Sequence, residues 1–302
     1  PLSPLELTIE ADERMDAQGE IVDPLDEAKL RADLAALSGA GIEALTVSLM
    51  NAYTNGVHEQ KIRTIAEQVL PGIPVSISSE IVPEMYEYER TETTVVNSYI
   101  RPTVSKYIEN LAAELNRRMS GVQLRILRSD GGLSSEDGAK ALPVNLLMSG
   151  PAGGVSGAIW MAKQAGFADL LTFDMGGTST DVALIQNGIA QTRRETRVAD
   201  VTVRAPSVDV RTVGAGGGSI AYVPELTKAL RVGPQSAGAE PGPAAYGKGG
   251  AEPTVTDANV VLGYLPATSR LGGDMQLDYG AAEKAVKKVA DAMGLPLKEA
   301  AE

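Results

Sequence analysis

Cysteine is absent from the 302 residues, and histidine occurs once, as His58. Without cysteine the chain can form neither disulfides nor thiolate metal sites, and one histidine cannot build a site from several imidazoles. We interpret His58 as a loop or helix-end residue at the surface. The lack of cysteine is compatible with a reducing compartment, so we expect a cytoplasmic protein.

Long apolar runs and an excess of basic residues are also missing. No segment approaches the roughly 20 apolar residues of a membrane span, and the opening PLSPLELTIE lacks the basic and apolar regions of a signal peptide. The formal net charge is −12, which argues against a nucleic-acid partner because phosphate backbones need a basic surface. We therefore expect neither a membrane nor a nucleic-acid partner, and we attribute the charge to solubility.

Helix and strand patterns alternate along the first half of the chain. Apolar and β-branched runs at 41–50 and 73–79 predict buried strands, and the stretch at about 57–70 predicts a helix between them. This alternation is typical of α/β architecture with a mainly parallel sheet. From 84 to 119 the pattern predicts one or two long helices with a break near Pro102.

The stretch TFDMGGTSTDVALI, residues 172–185, places glycines and hydroxyls between two apolar runs. Glycine permits backbone angles closed to other residues and leaves room for a ligand against the main chain. Backbone N–H groups and neighbouring hydroxyls can together cradle phosphate oxygens. The predicted phosphate-binding residues are Gly176, Gly177, Thr178, Ser179 and Thr180.

Two carboxylates, Asp174 and Asp181, flank this cradle. They would repel a phosphate unless a cation lay between them, so they predict Mg²⁺ bound directly or through water. Asp174 is also a candidate for orienting an attacking oxygen. The alternative is a tight turn in which both aspartates cap their own backbone.

Other phosphate-binding and catalytic motifs do not fit. The sequence contains no G-x-x-x-x-G-K-[ST], and GAGGGS at 214–219 has serine where the dinucleotide fingerprint needs its last glycine. One histidine gives no persuasive Ser–His–Asp triad. The acidic hairpin remains the strongest site candidate.

The order D-x-G-G-T-x-T-D between two strands resembles the phosphate hairpin of the actin, sugar-kinase and acetate-kinase superfamily. Together with YERTETTVVNSYIRP, SDGGL, LMSGPAGGVSGA, VGAGGGSIA and PTVTDANVVLGYL, it resembles the hydantoinase A/5-oxoprolinase family over essentially the whole chain. The resemblance implies a two-lobed, actin/sugar-kinase-like (ribonuclease H-like) α/β fold with mixed sheets flanked by helices. It assigns 1–148 to the remainder of a first lobe with long helices and 149–302 to a second lobe, with the hairpin at 170–187.

The same resemblance implies an ATP-dependent hydrolase that opens a cyclic amide, of the hydantoin or 5-oxoproline type, by phosphorylating the amide oxygen. ATP and Mg²⁺ would be its cofactors, with Asp174 and Asp181 as catalytic and metal-binding residues. A B-type partner subunit or domain is implied as well, and a homo-oligomer is compatible with it. Because acetone and acetophenone carboxylase subunits are relatives, a subunit of an ATP-dependent ketone carboxylase is an alternative function.

Two departures from the family pattern predict a central fragment of a longer enzyme. Family members are similar in having an earlier phosphate hairpin and, beyond the last helix seen here, an FGGAGP-like adenosine-side block, and neither occurs in this sequence. We therefore expect the isolated fragment to be inactive. A non-catalytic folded module is the third alternative.

Substrate-contacting residues are predicted less directly. Glu89 and Arg90 lie in the densely charged YEYERTETT, where Arg90 could bind a carboxylate with two hydrogen bonds. The alternative is a solvated helix face with internal ion pairs. Asp257, in TDAN, is either a site residue or a helix cap.

Overall fold

The computed structural model describes residues 3–198, 200–266 and 268–302. It divides into two compact units, one formed by the chain up to Trp160 with Ala190–Asp209, the other by Met161–Ile189 with Val210–Glu302. The first change of unit along the chain follows Trp160, and the boundary expected at residue 148 stays a prediction. The assignment of the units to two lobes of an actin-like fold stays a prediction.

The predicted α/β class is confirmed, since helices alternate with strands that form small sheets. The helices of the described residues are α1 (Glu27–Ala36), α2 (Val57–Val69), α3 (Ser78–Ile81), α4 (Glu87–Arg118), α5 (Glu136–Ala141), α6 (Ser149–Gln164), α7 (Val255–Leu262), α8 (Tyr279–Met293) and α9 (Leu297–Ala301). Within the same ranges, no helix is both long enough and apolar enough to cross a membrane.

Most strands are short. They are β1 (Arg14–Met15), β2 (Ile21–Asp23), β3 (Leu45–Val47), β4 (Val75–Ile77), β5 (Arg125–Leu127), β6 (Leu133–Ser135), β7 (Leu170–Met175), β8 (Thr180–Gln186), β9 (Ile189–Ala190), β10 (Thr192–Arg193), β11 (Thr196–Val198), β12 (Val201–Val203), β13 (Ser207–Val208), β14 (Val210–Val213), β15 (Ser219–Tyr222), β16 (Arg231–Ser236), β17 (Arg270–Leu271) and β18 (Met275–Gln276).

The first unit is built on the parallel pair β3 and β4, which the alternating pattern predicted. Buried leucine and isoleucine side chains from α1 and α2 pack against these strands and form its core, among them Leu34 and Ile62. Helix α4 runs through Pro102 as one element, so the predicted break is wrong. The helix packs on β3, β4 and α5, and this tertiary packing offsets the hydrogen bond that proline cannot donate.

His58 is not a surface residue. It lies at the start of α2 and is only 5% exposed, and its Nδ1 is 2.6 Å from Oε2 of Glu13. The surface position predicted for it is therefore wrong, because an acidic partner satisfies the ring in a buried site.

The second unit contains the predicted hairpin. Strands β7 and β8 pair antiparallel, β14 pairs with the other edge of β8, and β9 also pairs with β8. Beside this sheet, β15 and β16 form an antiparallel pair. Helices α7 and α8 share a separate apolar core that includes Val260 and Val286.

The two faces of the hairpin sheet differ in composition. On one face, Ile185, Ala183 and Val210 are buried. Further along the strands on the same face, toward the tip of the hairpin, lies a row of polar residues. The opposite face, here called the uncovered face, carries large apolar side chains that are exposed in the described structure: Leu171 (63%), Phe173 (67%), Met175 (46%), Leu184 (48%) and Val213 (53%).

Candidate functional site

The hairpin tip, residues 176–179, joins β7 to β8. Asp174 and Asp181 are directly opposite each other in the antiparallel register. The N–H of Gly176 donates to the carbonyl of Ser179 over 2.8 Å and closes the tip. The carboxylates therefore lie at the base of the tip, on the same face of the sheet.

A second loop, the glycine turn at 214–218, packs against the tip. The N–H groups of Gly217 and Gly218 donate to the carbonyls of Gly176 and Gly177 over 2.9 and 2.6 Å. The carbonyl of Gly217 in turn accepts from the N–H of Thr256 in α7, over 2.8 Å. The glycine turn thus fixes the position of the tip, and α7 in turn fixes the position of the glycine turn.

Glycine is required at the closest point of this contact. A Cβ atom on Gly216 would lie 2.7 Å from the carbonyl carbon of Thr178 and 2.8 Å from the carbonyl oxygen of Gly176. Both are backbone atoms and cannot swing aside. Gly216, at the centre of the run GAGGGS that fails as a dinucleotide motif, is therefore explained by close approach to the tip.

The tip keeps a set of unused donors. In the part of the chain that the structure describes, the N–H groups of Gly177, Thr178 and Ser179 donate no hydrogen bond, and neither do the hydroxyls of Thr178 and Ser179. Gly176, Gly177 and Thr178 are exposed. Because the glycine turn occupies two tip carbonyls and leaves these donors free, the tip suits an anion such as a phosphate.

Thr180 does not belong to this donor set. It is 3% exposed, and its hydroxyl donates to the carbonyl of Ala215 in the glycine turn. The prediction that Thr180 holds phosphate through its hydroxyl therefore needs correction: this side chain joins the two loops.

The two carboxylates are available for a cation. Asp174 is exposed and accepts no hydrogen bond within the described residues, while Asp181 is half-buried and accepts one, from Thr212 Oγ1 over 2.7 Å. Neither carboxylate caps the tip backbone, which disfavours the tight-turn alternative. Sequence reasoning missed Thr212, because only the pairing of β14 with β8 brings it opposite Asp181.

This donor set fits Mg²⁺. The ion prefers oxygen ligands and is commonly held by one or two carboxylates together with substrate phosphates and water. No group of three or more His, Cys, Asp or Glu side chains suitable for a metal occurs within 3–198, 200–266 and 268–302. A magnesium ion here would therefore depend on the phosphate for part of its coordination.

Asp257 is a structural residue. Its fully buried carboxylate forms a capping box with Thr254 at the start of α7. It also accepts from the N–H groups of Ala244 and Ala245, the latter over 2.7 Å. The capping alternative is thus the correct one, and Asp257 stabilises the helix whose first turn holds the glycine turn.

Arg90 is also committed to the fold. It is fully buried in the first unit, and its guanidinium donates to Ser78 Oγ and to the carbonyls of Glu84 and Leu49, over 2.7–3.0 Å. Glu89, its half-buried neighbour, lies 3.7 Å from the guanidinium of Arg204. The structure does not support Arg90 as a substrate clamp, because the side chain is fully buried and each of its three nitrogens already donates a hydrogen bond within the fold. For Glu89 it supports internal ion pairing.

Replacing Arg90 with alanine is therefore expected to destabilise the first unit. Ser78 links the arginine to the fully buried carboxylate of Glu59, so the variant leaves a buried charge uncompensated, at a cost of about 3–5 kcal/mol in the free energy of unfolding. Urea unfolding of the 302-residue chain measures the change.

Arg118→Ala is the matched control, since Arg118 lies on the same helix with its side chain 68% exposed. That change should cost at most about 1 kcal/mol. An Arg90→Ala protein with normal unfolding but a raised substrate KM would instead support Arg90 as a substrate-binding residue.

Comparison with known protein families gives two matches. A model described as hydantoinase/oxoprolinase matches residues 90–302, and one described as the hydantoinase/oxoprolinase N-terminal region matches residues 1–70.

Individual relatives agree with these matches. The chain is 36% identical to the acetophenone carboxylase gamma subunit of Aromatoleum aromaticum, over 100% of this chain and 42% of that subunit. It is 38% identical to 5-oxoprolinase of Saccharomyces cerevisiae, over 80% of this chain and 18% of that enzyme.

A solved relative shares the fold. The crystal structure of the ATP-dependent caprolactamase from Pseudomonas jessenii superimposes with a TM-score of 0.79 at 37% identity, over 96% of this chain and 42% of that one. The chain spans less than half the length of each of these relatives. With both family models matched in order along it, the chain belongs to the hydantoinase/oxoprolinase family.

Proposed function

We propose that this chain supplies a phosphate-binding hairpin to an ATP-dependent enzyme that opens a cyclic amide by phosphorylating the amide oxygen. The observation that carries the proposal is the tip at 176–179, where three consecutive N–H groups donate to no described residue while the carbonyls of Gly176 and Gly177 are occupied. The carbon of an amide is a poor electrophile. Transfer of a bound terminal phosphate to the amide oxygen would make that carbon reactive enough for ring opening. Relatives that include 5-oxoprolinase and an ATP-dependent caprolactamase support this class of reaction.

The proposed reaction takes three steps and consumes two waters. The amide oxygen attacks the terminal phosphorus of ATP, ADP leaves, the amide nitrogen loses its proton, and an imidate phosphate forms. A first water adds to the activated carbon, the ring C–N bond breaks with a proton transferred to the leaving nitrogen, and an acyl phosphate with a free amine results. A second water attacks the acyl carbon, and inorganic phosphate leaves with the former amide oxygen to give the carboxylate.

In this reaction the chain positions groups and balances charge. The N–H groups of Gly177, Thr178 and Ser179 would bind the terminal phosphate oxygens. Asp174 and Asp181 would hold Mg²⁺, directly or through water. When bound, the ion would neutralise charge on the phosphates.

A ketone carboxylase subunit is the second candidate function. The acetophenone carboxylase gamma subunit matches the entire chain at 36% identity, and such an enzyme would share the phosphorylation step while passing the activated group to another polypeptide. Because that relative is a subunit, we also propose a partner subunit for the present protein. The two-lobed actin-like architecture and the cytoplasmic location are parts of the same proposal.

An oxygen-transfer experiment tests the proposed chemistry. The full-length protein with its partner is supplied with ATP, Mg²⁺ and a hydantoin, 5-oxoproline or lactam labelled with ¹⁸O at the amide oxygen. We expect one ADP for each ring opened, no requirement for bicarbonate, and the label in inorganic phosphate.

Other results would favour the alternatives. Turnover that requires bicarbonate and a ketone would establish the carboxylase function. Label retained in the carboxylate product would contradict the proposed route, in which phosphate carries the amide oxygen away. The absence of any Mg²⁺-dependent ATP binding would identify the hairpin as part of a non-catalytic module.

A further inference from the structure

Thr212 lies in a polar row that crosses three strands. Asp174 on β7 is opposite Asp181 on β8, and Asp181 is opposite Thr212 on β14. Directly opposed residues share one face of the sheet, with Cβ atoms about 4.5–5.5 Å apart. The next row toward the interior is Thr172, Ala183 and Val210. The polar row therefore marks the end of a packed surface, beside the tip.

The row brings two negative charges together. Two ionised carboxylates at this separation repel each other, and a free side chain would turn away from its neighbour. Asp174 has no hydrogen-bond partner among the described residues, whereas Asp181 is held at Oδ1 by the hydroxyl of Thr212 over 2.7 Å. A hydrogen bond to an ionised carboxylate is shorter and stronger than one between neutral groups, so it can fix Asp181 against this repulsion.

We infer that Thr212 is a positioning residue for the magnesium site, an inference that rests on the proposed function. Its hydroxyl occupies Oδ1 of Asp181 and leaves the second oxygen of that carboxylate for the ion. Threonine suits this task because its β-branched side chain has few χ1 conformations on a strand. Groups that hydrogen-bond to a metal ligand fix its orientation, and their removal typically costs about 10–100-fold in metal affinity.

Thr212→Val and Thr212→Ser form the test pair. Valine keeps the branched shape and removes the hydroxyl, whereas serine keeps the hydroxyl and removes a methyl group. The full-length protein is titrated with Mn²⁺, as a spectroscopic substitute for Mg²⁺, in the presence of a nonhydrolysable ATP analogue. Bound ion is counted by electron paramagnetic resonance, so the readout does not depend on turnover.

We expect the valine variant to bind Mn²⁺ about 10–100-fold more weakly, and the serine variant to bind it nearly as well as the unmodified protein. The thermal unfolding midpoint should stay the same in both variants, because Thr212 is exposed. Equal Mn²⁺ affinity in the valine variant and the unmodified protein would overturn the inference and leave the proposed function standing. If the unmodified protein binds no Mn²⁺ with the analogue, the proposed function itself fails.

Discussion

Asp174→Asn is expected to lower the rate of ATP hydrolysis by the full-length enzyme by about 10²–10⁴-fold, the range for loss of a group that acts on the reacting atoms. Asparagine keeps the size of the side chain and removes its negative charge, so the proposed magnesium site loses one of its two carboxylates. Because Asp174 is exposed and has no hydrogen-bond partner within the described ranges, the fold should not change. The measurement is ADP release at saturating ATP, with an unfolding curve for each protein.

Asp274→Asn is the matched control for this prediction. Asp274 is also exposed, lies in the same unit, and occupies the turn between β17 and β18, away from the tip in sequence. Its replacement makes the same change in net charge and should leave ADP release unchanged. Full activity in the Asp174→Asn protein would show that this carboxylate has no role in the mechanism.

Gly216→Ala is expected to displace the hairpin tip and to weaken binding of Mg-ATP by about 10²-fold, the order of loss that a shift of about 1 Å can cause. The added Cβ would lie 2.7–2.8 Å from three backbone atoms of residues 176–178. Relief of this clash moves the tip away from Gly217 and Gly218, whose N–H groups hold its carbonyls. Overpacking of this kind also lowers the free energy of unfolding by about 1–3 kcal/mol.

Gly214→Ala provides the control within the same turn. Among the described residues no atom lies within 4 Å of a Cβ added at Gly214, and its φ is not positive. This variant should bind Mg-ATP and unfold as the unmodified protein does. Calorimetric titration of the full-length protein with Mg-ATP compares all three proteins, and equal affinity for the Gly216 and Gly214 variants would show that the glycine turn does not position the tip.

Local patterns in the sequence predicted the elements that carry the site. Apolar runs on both sides of a glycine pair predicted a hairpin at 170–187, and β7 and β8 span 170–186. The helix predicted at about 57–70 is α2, Val57–Val69. These predictions succeeded because each depends on neighbours within a few residues.

Contacts between distant segments could not be read in this way. Thr212 is 31 residues from Asp181, and its role depends on how β14 pairs with β8. Gly216 is explained only by the closeness of the tip. Arg90 looked like a ligand-binding residue because its neighbours are charged, whereas its own partners include a backbone carbonyl 41 residues away, at Leu49. In each case the tertiary structure decides between interpretations that the local sequence leaves open.

The uncovered face of the hairpin sheet has a consequence for the 302-residue chain by itself in solution. Five large apolar side chains, Leu171 to Val213, meet water there, and each square ångström of such surface costs about 25 cal/mol relative to burial. Contiguous apolar surface promotes association between molecules. Repulsion between like charges opposes this association only within about a Debye length, about 8 Å at physiological ionic strength. We therefore expect this area of sheet to promote self-association of the isolated chain, against the repulsion from its net charge of −12.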